Sequence, residues 1–410
     1  AKFDRKNYHY PDLMKGYQIS QYDLPLSLNG YLNIEVAGEI KRIGIRRVHL
    51  EEDTAKSFHI DGSSFIDVNR AGVPLMEIVS EPDLHSLEAV KQYSESLRQV
   101  LRYLNVSTGD MEKGAMRFEA NISLRPAGSP ELSKTRVEVK NLNSFRSMVR
   151  AVEYEIARQE EILRAGGVVE QETMGWDDTH NTTITQRSKE EANDYRYFPE
   201  PDLPRLEISR SWVEEIRAAL PELPDEKRKR YVSELELTPY DAGVITAEKE
   251  IADYFDSAVK FARAHGVEPN AVAHWLTSDL FGLIKNANIG IRDVPVSPER
   301  LVGLLELINK GTISTTIAKT LLPLMMESGR GAAEIAAEKG LVQVTDPSAI
   351  DSLVDKVLAA NPEPVAQFKN GKTGALQFII GQVMKESKGQ AKPDLVRDVV
   401  LEKLKSHNGV

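Results

Sequence analysis

The chain has 410 residues, of which 41% are hydrophobic and 28% are charged, and it contains no cysteine. This length and composition are typical of a soluble protein with two or three domains, and no apolar run approaches the roughly 20 residues that cross a bilayer. The absence of cysteine excludes disulfides, thiolate zinc sites and a cysteine nucleophile, so any bound metal needs carboxylate, imidazole or carbonyl ligands. The polar start, Ala1 to Leu13, resembles neither a signal nor a transit peptide. We therefore expect a cytoplasmic enzyme with no membrane partner.

The net charge of −10 is unevenly distributed along the chain. Between Val365 and Lys405, eight lysines and arginines stand against four acidic residues, which gives +4 there and leaves −14 for the rest. Non-specific affinity for nucleic acid comes mainly from lysine and arginine that neutralise phosphates. The overall charge thus argues against a generic polyanion binder, and nucleic-acid contact is expected at the basic end.

Strand patterns dominate roughly the first 205 residues. Two alternating runs, Tyr31 to Val36 and Lys41 to Arg46, flank a glycine-containing turn and predict a hairpin. Apolar residues recur at helical spacing from Leu87 to Leu104, after the N-cap candidate Ser86, and again from Ser144 to Ala165. Strands and helices do not alternate regularly, so this part is predicted to be an α+β domain with both helices on one sheet face, not a βαβ repeat.

The second half of the chain is predicted to be helical, beyond two proline-rich segments, Asp194 to Pro204 and Pro221 to Pro224. The 3.6-residue periodicity predicts helices over 225–236, 247–264, 271–286, 298–309, 314–328, 332–339, 347–360, 372–387 and 393–405. We expect three domains: a mixed-sheet domain over 1–222, a helical linker domain over 223–294 and a helical tail domain over 295–410.

A dense acidic cluster follows one predicted strand. His49-Leu-Glu-Glu-Asp53 places three carboxylates and an imidazole within five residues. Adjacent carboxylates repel each other unless a cation or strong donors hold them, so such a cluster is typical of a Mg²⁺ or Ca²⁺ site. The alternative is a solvated strand end, which composition alone favours.

Two further strands carry alternating charged residues. The run from Met116 predicts Arg117, Glu119 and Asn121 on one strand face, and a later run predicts Arg136, Glu138 and Lys140 on one face. Neighbouring strands with such side chains would form a charged surface suited to phosphoryl transfer, where the protein positions groups and neutralises charge. The alternative is the ordinary solvent face of a half-buried sheet.

Aromatic and basic residues alternate near the start of the chain. Phe3 to Asp12 combines Lys6 with several aromatic rings, an arrangement that either stacks a nucleotide base or covers a hydrophobic surface. The chain contains neither a Walker phosphate loop nor a Gly-x-Gly-x-x-Gly motif. An ATP site, if present, would therefore not be a P-loop.

The basic end contains a glycine-rich turn before an apolar helical segment. Lys369, Lys372, Lys385 and Lys388 surround this segment. Backbone donors at a helix N-terminus attract phosphate, and these lysines would add charge. The alternative is a surface helix with solvated lysines.

Several of these segments together resemble one family, the B subunits of bacterial and organellar Glu-tRNA(Gln) and Asp-tRNA(Asn) amidotransferases. The shared strings, in family order, are FDRKNYHYPDLMKGYQISQYD, HLEED, DVNRAGVPLMEIVSEPD, MRFEANISLRP, EVKNLNSF and NDYRYFPEPDLP. The resemblance covers nearly the whole chain, and its specificity comes from many unusual strings in one order.

The resemblance implies an enzyme that uses ATP and Mg²⁺ to phosphorylate the side-chain carboxylate of the amino acid on a mischarged tRNA. Ammonia then displaces the phosphate. The family's ammonia comes from glutamine hydrolysed in an amidase, the A subunit, and a small C subunit joins the other two. The implied fold is a glutamine-synthetase-like cradle followed by helical domains that bind tRNA.

Site residues are carried over from the same resemblance. Glu52, with Glu51 beside it, corresponds to a metal ligand, and Glu119 corresponds to an acidic position near the metal where many members have aspartate. The expected catalytic residues are Glu52, Glu119 and Arg117, and the expected nucleotide contacts are Lys6, Lys140, Asn121 and Arg117. The expected tRNA contacts are Lys369, Lys372, Lys385 and Lys388.

One departure from the family concerns the start of the chain. Family members begin with about seventy further residues, including a Gly-Leu-Glu-Val-His strand that helps bind the metal. The given sequence lacks that segment, so the catalytic domain is expected to be truncated. The missing segment leaves open a catalytically inactive protein that binds tRNA or aids assembly. A separate alternative is an ATP-grasp enzyme or synthetase that acts on a small carboxylate without tRNA.

Overall fold

A computed structural model describes residues 1–129, 132–133, 135–188, 194–341, 347–369, 372–387 and 390–406. The chain divides into two compact units, Ala1–Leu223 and Pro224–Val410. The first contains the strands with a few helices and the second is helical, so the predicted α+β class followed by helices is confirmed. Within these described residues, every helix is too short or too polar to span a bilayer.

In the described parts of the chain, the strands lie in the first unit. They are β1 Asp4–Asn7, β2 Tyr17–Ser20, β3 Ser27–Val36, β4 Glu39–Glu52, β5 Lys56–Ile60, β6 Ser63–Asp67, β7 Pro74–Ser80, β8 Phe118–Ile122, β9 Val137–Leu142, β10 Glu172–Asp177, β11 Thr182–Ser188 and β12 Phe198–Pro199. They form three sheets in the orders β12-β1-β2, β3-β4-β7 and β11-β10-β9-β8, and a separate hairpin β5-β6.

The predicted hairpin is confirmed as β3 and β4, which are longer than the sequence patterns indicated. Val36 pairs with Glu39 across a two-residue turn in which Ala37 and Gly38 have φ angles of 52° and 80°. Positive φ at both central residues matches the right-handed twist of the strands. β4 then continues through Glu52, which makes the acidic cluster part of a strand.

The two predicted helices of this unit are confirmed as α1, Leu87–Tyr103, and α2, Phe145–Arg164. The hydroxyls of Ser86 and Ser144 cap them by accepting backbone hydrogen bonds from Ala89 and Ser147. The helices do not share one sheet, because α1 packs on β3 and β4 whereas α2 packs on β8, β9 and β10. The α2 segment also connects the parallel strands β9 and β10, a single βαβ unit that the sequence patterns did not predict.

The remaining helices follow the predicted helical half closely. They are α3 Arg210–Ala219 in the first unit, then α4 Pro224–Glu234, α5 Pro239–Thr246, α6 Lys249–Ala264, α7 Pro269–His274, α8 Phe281–Ala287, α9 Pro298–Asn309, α10 Thr315–Ser328, α11 Ala332–Glu338, α12 Pro347–Ala360, α13 Pro362–Lys369, α14 Gly374–Glu386 and α15 Pro393–Ser406. A π-helical turn, Trp275–Leu280, joins α7 to α8, so the single helix predicted over 271–286 has three parts.

The helical unit contains two separate hydrophobic cores. One includes buried residues from Tyr231 to Ala336, and the other includes buried residues from Ile350 to Leu404. The first core extends across residue 295, because Tyr254 and Val296 belong to it together. The three-domain division with a boundary at 295 stays a prediction, although the cores themselves separate between Ala336 and Ile350.

Candidate functional site

Three potential metal ligands meet where β4 pairs with β7. His49 lies directly opposite Glu77 in the antiparallel register, and Glu51 lies two residues further on the same face of β4. His49 Nε2 is 3.4 Å from Glu77 Oε2 and 3.7 Å from Glu51 Oε2. All three ligand atoms lie within 4.8 Å of one another, and no other group of three such residues is this close in the described parts of the chain. We call these residues the His49 cluster.

The charges of the His49 cluster stabilise one another. Burial lowers the pKa of His49, but hydrogen bonds with Glu51 and Glu77 raise it more, to about 9. The same hydrogen bond to His49 lowers the pKa of Glu77. The imidazolium thus favours the ionised form of Glu77, and the Glu77 carboxylate in turn favours the protonated imidazole. Two carboxylates and an imidazole are also a common donor set for divalent ions.

Glu52 points away from the His49 cluster, because successive side chains of a strand lie on opposite faces. Its carboxylate pairs with the Lys15 ammonium and accepts a hydrogen bond from the Ile19 backbone amide at 2.9 Å. It lines a small cavity of about 20 Å³ together with Asp12 and Asp53. The structure therefore separates Glu51 from Glu52, which the sequence interpretation had placed on one ion.

Arg117 shares the carboxylate of Asp53 with Arg70. The buried Asp53 carboxylate accepts from Arg70 Nε at 2.9 Å and lies 3.4 Å from Arg117 Nη2. Arg70 also donates to the Gly114 carbonyl at 2.8 Å. The Arg117 side chain keeps 62% of its surface exposed, so its guanidinium can contact a further anion.

The predicted charged surface forms on β8 and β9. Phe118, Ala120 and Ile122 pack with Val137 and Val139 in the core between sheet and α2. The alternate residues Glu119, Asn121, Glu138 and Lys140 lie on the opposite face, and we call them the charged floor.

Lys140 is held within this floor by two carboxylates. Its Nζ is 3.0 Å from Glu119 Oε1 and 3.9 Å from Glu138 Oε1. Burial lowers the pKa of Lys140, but the charges of Glu119 and Glu138 raise it further, so the net shift is upward. A fixed ammonium ion thus faces away from the core on β9.

Tyr8 and Tyr195 lie against Lys6, and we call these three residues the aromatic wall. Lys6 Nζ lies 4.8 Å from the Tyr195 ring centre and 5.7 Å from that of Tyr8, and the two rings meet edge to face. Burial, together with the charge of Glu51, raises the pKa of Tyr8, and the positive charge of Lys6 helps to lower the pKa of Glu77. Tyr8 and Lys6 are therefore in electrostatic range of the His49 cluster.

Two sets of contacts tie the start of the chain to the proline-rich segment. Arg5 donates to both carboxylate oxygens of the buried Glu200 at 2.7 and 2.9 Å, and its guanidinium stacks 4.2 Å from the Tyr17 ring centre. β1 also pairs with β12 through Asp4 and Pro199. These contacts hold Tyr195 and Lys6 in one wall, although they are far apart in sequence.

Sequence patterns missed Glu77 and Tyr195 as site residues and did not assign His49 as a ligand. The one local indication for Glu77 is that it is the acidic residue in an otherwise apolar or neutral strand, PLMEIVS. Its partner is set by the β4-β7 register, which is a non-local property.

Of the four predicted tRNA contacts, the side chains of Lys372 and Lys385 are described, and these two lie far apart. Lys372 and Lys385 are exposed near opposite ends of α14, about 20 Å apart at 1.5 Å per residue. Lys369 is the last residue of α13, and the placement of its side chain is not described. Lys388 lies outside the described residues.

Both halves of the chain match models of known protein families. The family model described as the GatB/GatE catalytic domain matches residues 1–214, and the one described as the GatB domain matches residues 253–404. The sheet unit thus matches a catalytic domain and the helical unit matches a second domain of the same family, which defines a two-part catalytic subunit. The chain belongs to the GatB family, which confirms the resemblance found in the sequence.

Individual relatives cover nearly the full length of the chain. The B subunit of the aspartyl/glutamyl-tRNA(Asn/Gln) amidotransferase from Carboxydothermus hydrogenoformans is 52% identical over 98% of this chain and 84% of its own. The protein of the same name from Moorella thermoacetica is 52% identical over 98% of this chain and 85% of its own. That of Brevibacillus brevis is 50% identical over 99% of this chain and 84% of its own.

Proposed function

We propose that this chain is the B subunit of a glutamine-dependent amidotransferase that acts on Glu-tRNA(Gln), Asp-tRNA(Asn) or both. The observation that carries the proposal is the 52% identity over 98% of the chain to a protein of that name. The side-chain carboxylate of the mischarged amino acid attacks the terminal phosphorus of ATP, which releases ADP and leaves an acyl phosphate. Ammonia then attacks the acyl carbon and expels phosphate, which leaves the amide.

The charges on the sheets suit this chemistry, because phosphoryl transfer depends mostly on positioning and charge neutralisation. Lys140, Lys6 and Arg117 offer cationic groups for the phosphates of ATP, and Asn121 lies on the same floor as Lys140. We assign these residues to nucleotide binding.

A divalent ion, proposed to be Mg²⁺, fits the His49 cluster, because two carboxylates and an imidazole already converge within 4.8 Å. When bound, the ion would neutralise phosphate charge. Glu51 and Glu77 would hold it, and the His49 imidazole would join them after losing its proton. Glu52 and Glu119, which the family resemblance assigns to the metal, are the alternative proposed ligands, and each carboxylate is paired with a lysine.

The partners follow from the same proposal. Ammonia would come from glutamine hydrolysed by an amidase, the A subunit of the enzyme, while a small C subunit would join that amidase to this chain. The complex would be cytoplasmic. The tail lysines Lys369, Lys372, Lys385 and Lys388 are proposed to contact tRNA phosphates.

The test is reconstitution of the complete complex. The full chain is combined with the amidase, the small third subunit, glutamine, ATP and Glu-tRNA(Gln) or Asp-tRNA(Asn), and the amino acid released from tRNA is identified by chromatography. We expect ATP-dependent formation of the amide, with ADP released only when mischarged tRNA is present. A complex that binds tRNA but forms neither amide nor ADP would favour the inactive binding protein, and ADP release with free glutamate and no tRNA would favour the small-carboxylate synthetase.

A further inference from the structure

Glu138 of the charged floor has a hydrogen-bond donor on the neighbouring strand. β9 and β10 run parallel, and Thr173 is the register partner of Glu138. The Thr173 hydroxyl donates to Glu138 Oε2 at 3.1 Å, while the other carboxylate oxygen, Oε1, lies 3.9 Å from Lys140 Nζ. The two oxygens of Glu138 therefore face different partners.

The neighbours of Lys140 differ in how firmly they are held. The Glu119 side chain is 49% exposed, whereas that of Glu138 is 18% exposed and Thr173 is buried. Side chains in a packed environment keep one rotamer, and exposed ones interchange. Glu138 is thus the more firmly oriented carboxylate beside Lys140.

We propose that Thr173 is a positioning residue that fixes Lys140 through Glu138, so that the ammonium stays available for a phosphate group of the nucleotide. This inference rests on the proposed function. Without the hydroxyl, Glu138 can rotate, close the 3.9 Å separation and engage Lys140 more tightly. Lys140 would then neutralise Glu138 instead of phosphate, which weakens nucleotide binding.

Valine and serine variants separate this role from packing. Thr173→Val keeps the branched shape and the strand preference but removes the donor, whereas Thr173→Ser keeps the donor. A matched control is Thr185→Val, because the Thr185 hydroxyl also donates to a carboxylate of the same sheet, Glu172 Oε2 at 3.2 Å, on a different pair of strands.

The variants are assayed in the complete complex for amide formation at varied ATP concentration. We expect Thr173→Val to raise the KM for ATP about tenfold, the size of one missing hydrogen bond to a charged group, with kcat changed less than about threefold. Thr173→Ser and Thr185→Val should keep KM within about twofold of the unsubstituted chain. Equal thermal midpoints for the valine and serine variants would exclude a general loss of folding.

A double variant tests whether the effect passes through Glu138. In a Glu138→Gln background, Thr173→Val should change the KM for ATP by less than about twofold, because coupled residues are not additive. A full tenfold effect in that background, or an unchanged KM in Thr173→Val alone, would overturn the inference. If the unsubstituted complex forms no amide with ATP, the proposed function fails instead, so the two failures are distinguishable.

Discussion

The sheets of the first unit and the helical tail carry their functional charges in different ways. In the sheets, ionised groups from separate strands contact each other, as His49 does with Glu77 and Lys140 with Glu119. In the tail, Lys403 is paired with Asp351 at 2.8 Å, whereas the proposed tRNA contacts Lys372 and Lys385 are exposed, one just before α14 and the other in its last turn.

This difference matches two kinds of ligand. A phosphoryl group is small, so its binding groups have to converge and to be fixed beforehand. An RNA backbone is long, so dispersed lysines are sufficient, and their effect is screened by salt. Charge substitutions in the sheets should therefore change catalysis, and those in the tail should change the salt dependence of binding.

The largest effect is expected for Glu51→Gln combined with Glu77→Gln. Two carboxylates of the His49 cluster become neutral, so the cluster loses the charge that would hold a divalent ion. We expect kcat/KM for ATP-dependent amide formation to fall about 1,000-fold in the complete complex. The affinity for tRNA, measured by filter binding, should stay unchanged if the sheets bind the phosphoryl group and the tail binds RNA.

A control with the same charge change is available in the same unit. Glu39 lies at the far end of β4 and Glu95 on an exposed position of α1, and neither belongs to the His49 cluster. Glu39→Gln with Glu95→Gln should keep kcat/KM within about threefold, since surface substitutions have small effects. An equal loss in both double variants would show that net charge, not the cluster, is responsible.

Local sequence patterns predicted much of the fold. The α1 and α2 boundaries follow from Ser86 and Ser144, whose hydroxyls cap the helices. The alternation that places Glu119 and Lys140 opposite the core is also local, because side chains of a strand alternate with a period of two. These features depend on residues within a few positions of each other.

The rest of the site depends on non-local pairing. His49 and Glu77 meet only through the register of β4 and β7, and Thr173 reaches Glu138 only because β9 and β10 are parallel. The sequence HLEED suggested that its carboxylates lie together. Because β4 extends through Glu52, however, the side chains of Glu51 and Glu52 lie on opposite faces of the strand. Likewise, nothing in the composition near residue 295 indicated that one core crosses it.

A second large effect is expected on the stability of the tail helices α12 to α15. Ile379 of α14 is fully buried in the core shared with α12 and α15. Ile379→Ala removes buried methyl and methylene groups and should destabilise that core by about 3 kcal/mol. This loss of stability is measured as faster amide hydrogen exchange in α12 and α15.

The adjacent residue supplies the control for this substitution. Phe378 is 47% exposed, so Phe378→Ala should cost within about 0.5 kcal/mol. Exchange in β4 and β9 should not change in either variant. Equal protection of α12 and α15 in the two variants would mean that the tail does not depend on this core.

A smaller effect distinguishes two neighbouring carboxylates. Glu51 faces His49, whereas Glu52 pairs with Lys15, so Glu51→Gln should weaken Mn²⁺ binding about tenfold and Glu52→Gln less than about threefold. Mn²⁺ affinity is measured by electron paramagnetic resonance. The reverse order would return the metal to the position that the family resemblance assigns to Glu52.

The smallest effect is expected in the tail. Lys372→Ala with Lys385→Ala should lower the slope of log K against log salt for tRNA binding by about 0.9 for each phosphate interaction that is removed. The matched control is Lys260→Ala with Lys339→Ala, because these lysines are also exposed but lie outside the tail helices α12 to α15. Equal slopes in the two double variants would show that Lys372 and Lys385 contact only solvent, and tRNA binding would have to be sought on another surface. If only Lys372→Ala with Lys385→Ala lowers the slope, and the KM for ATP stays unchanged, RNA and nucleotide bind to separate sets of charges. Exposed lysines make salt-sensitive contacts, whereas Lys140 is held between two carboxylates.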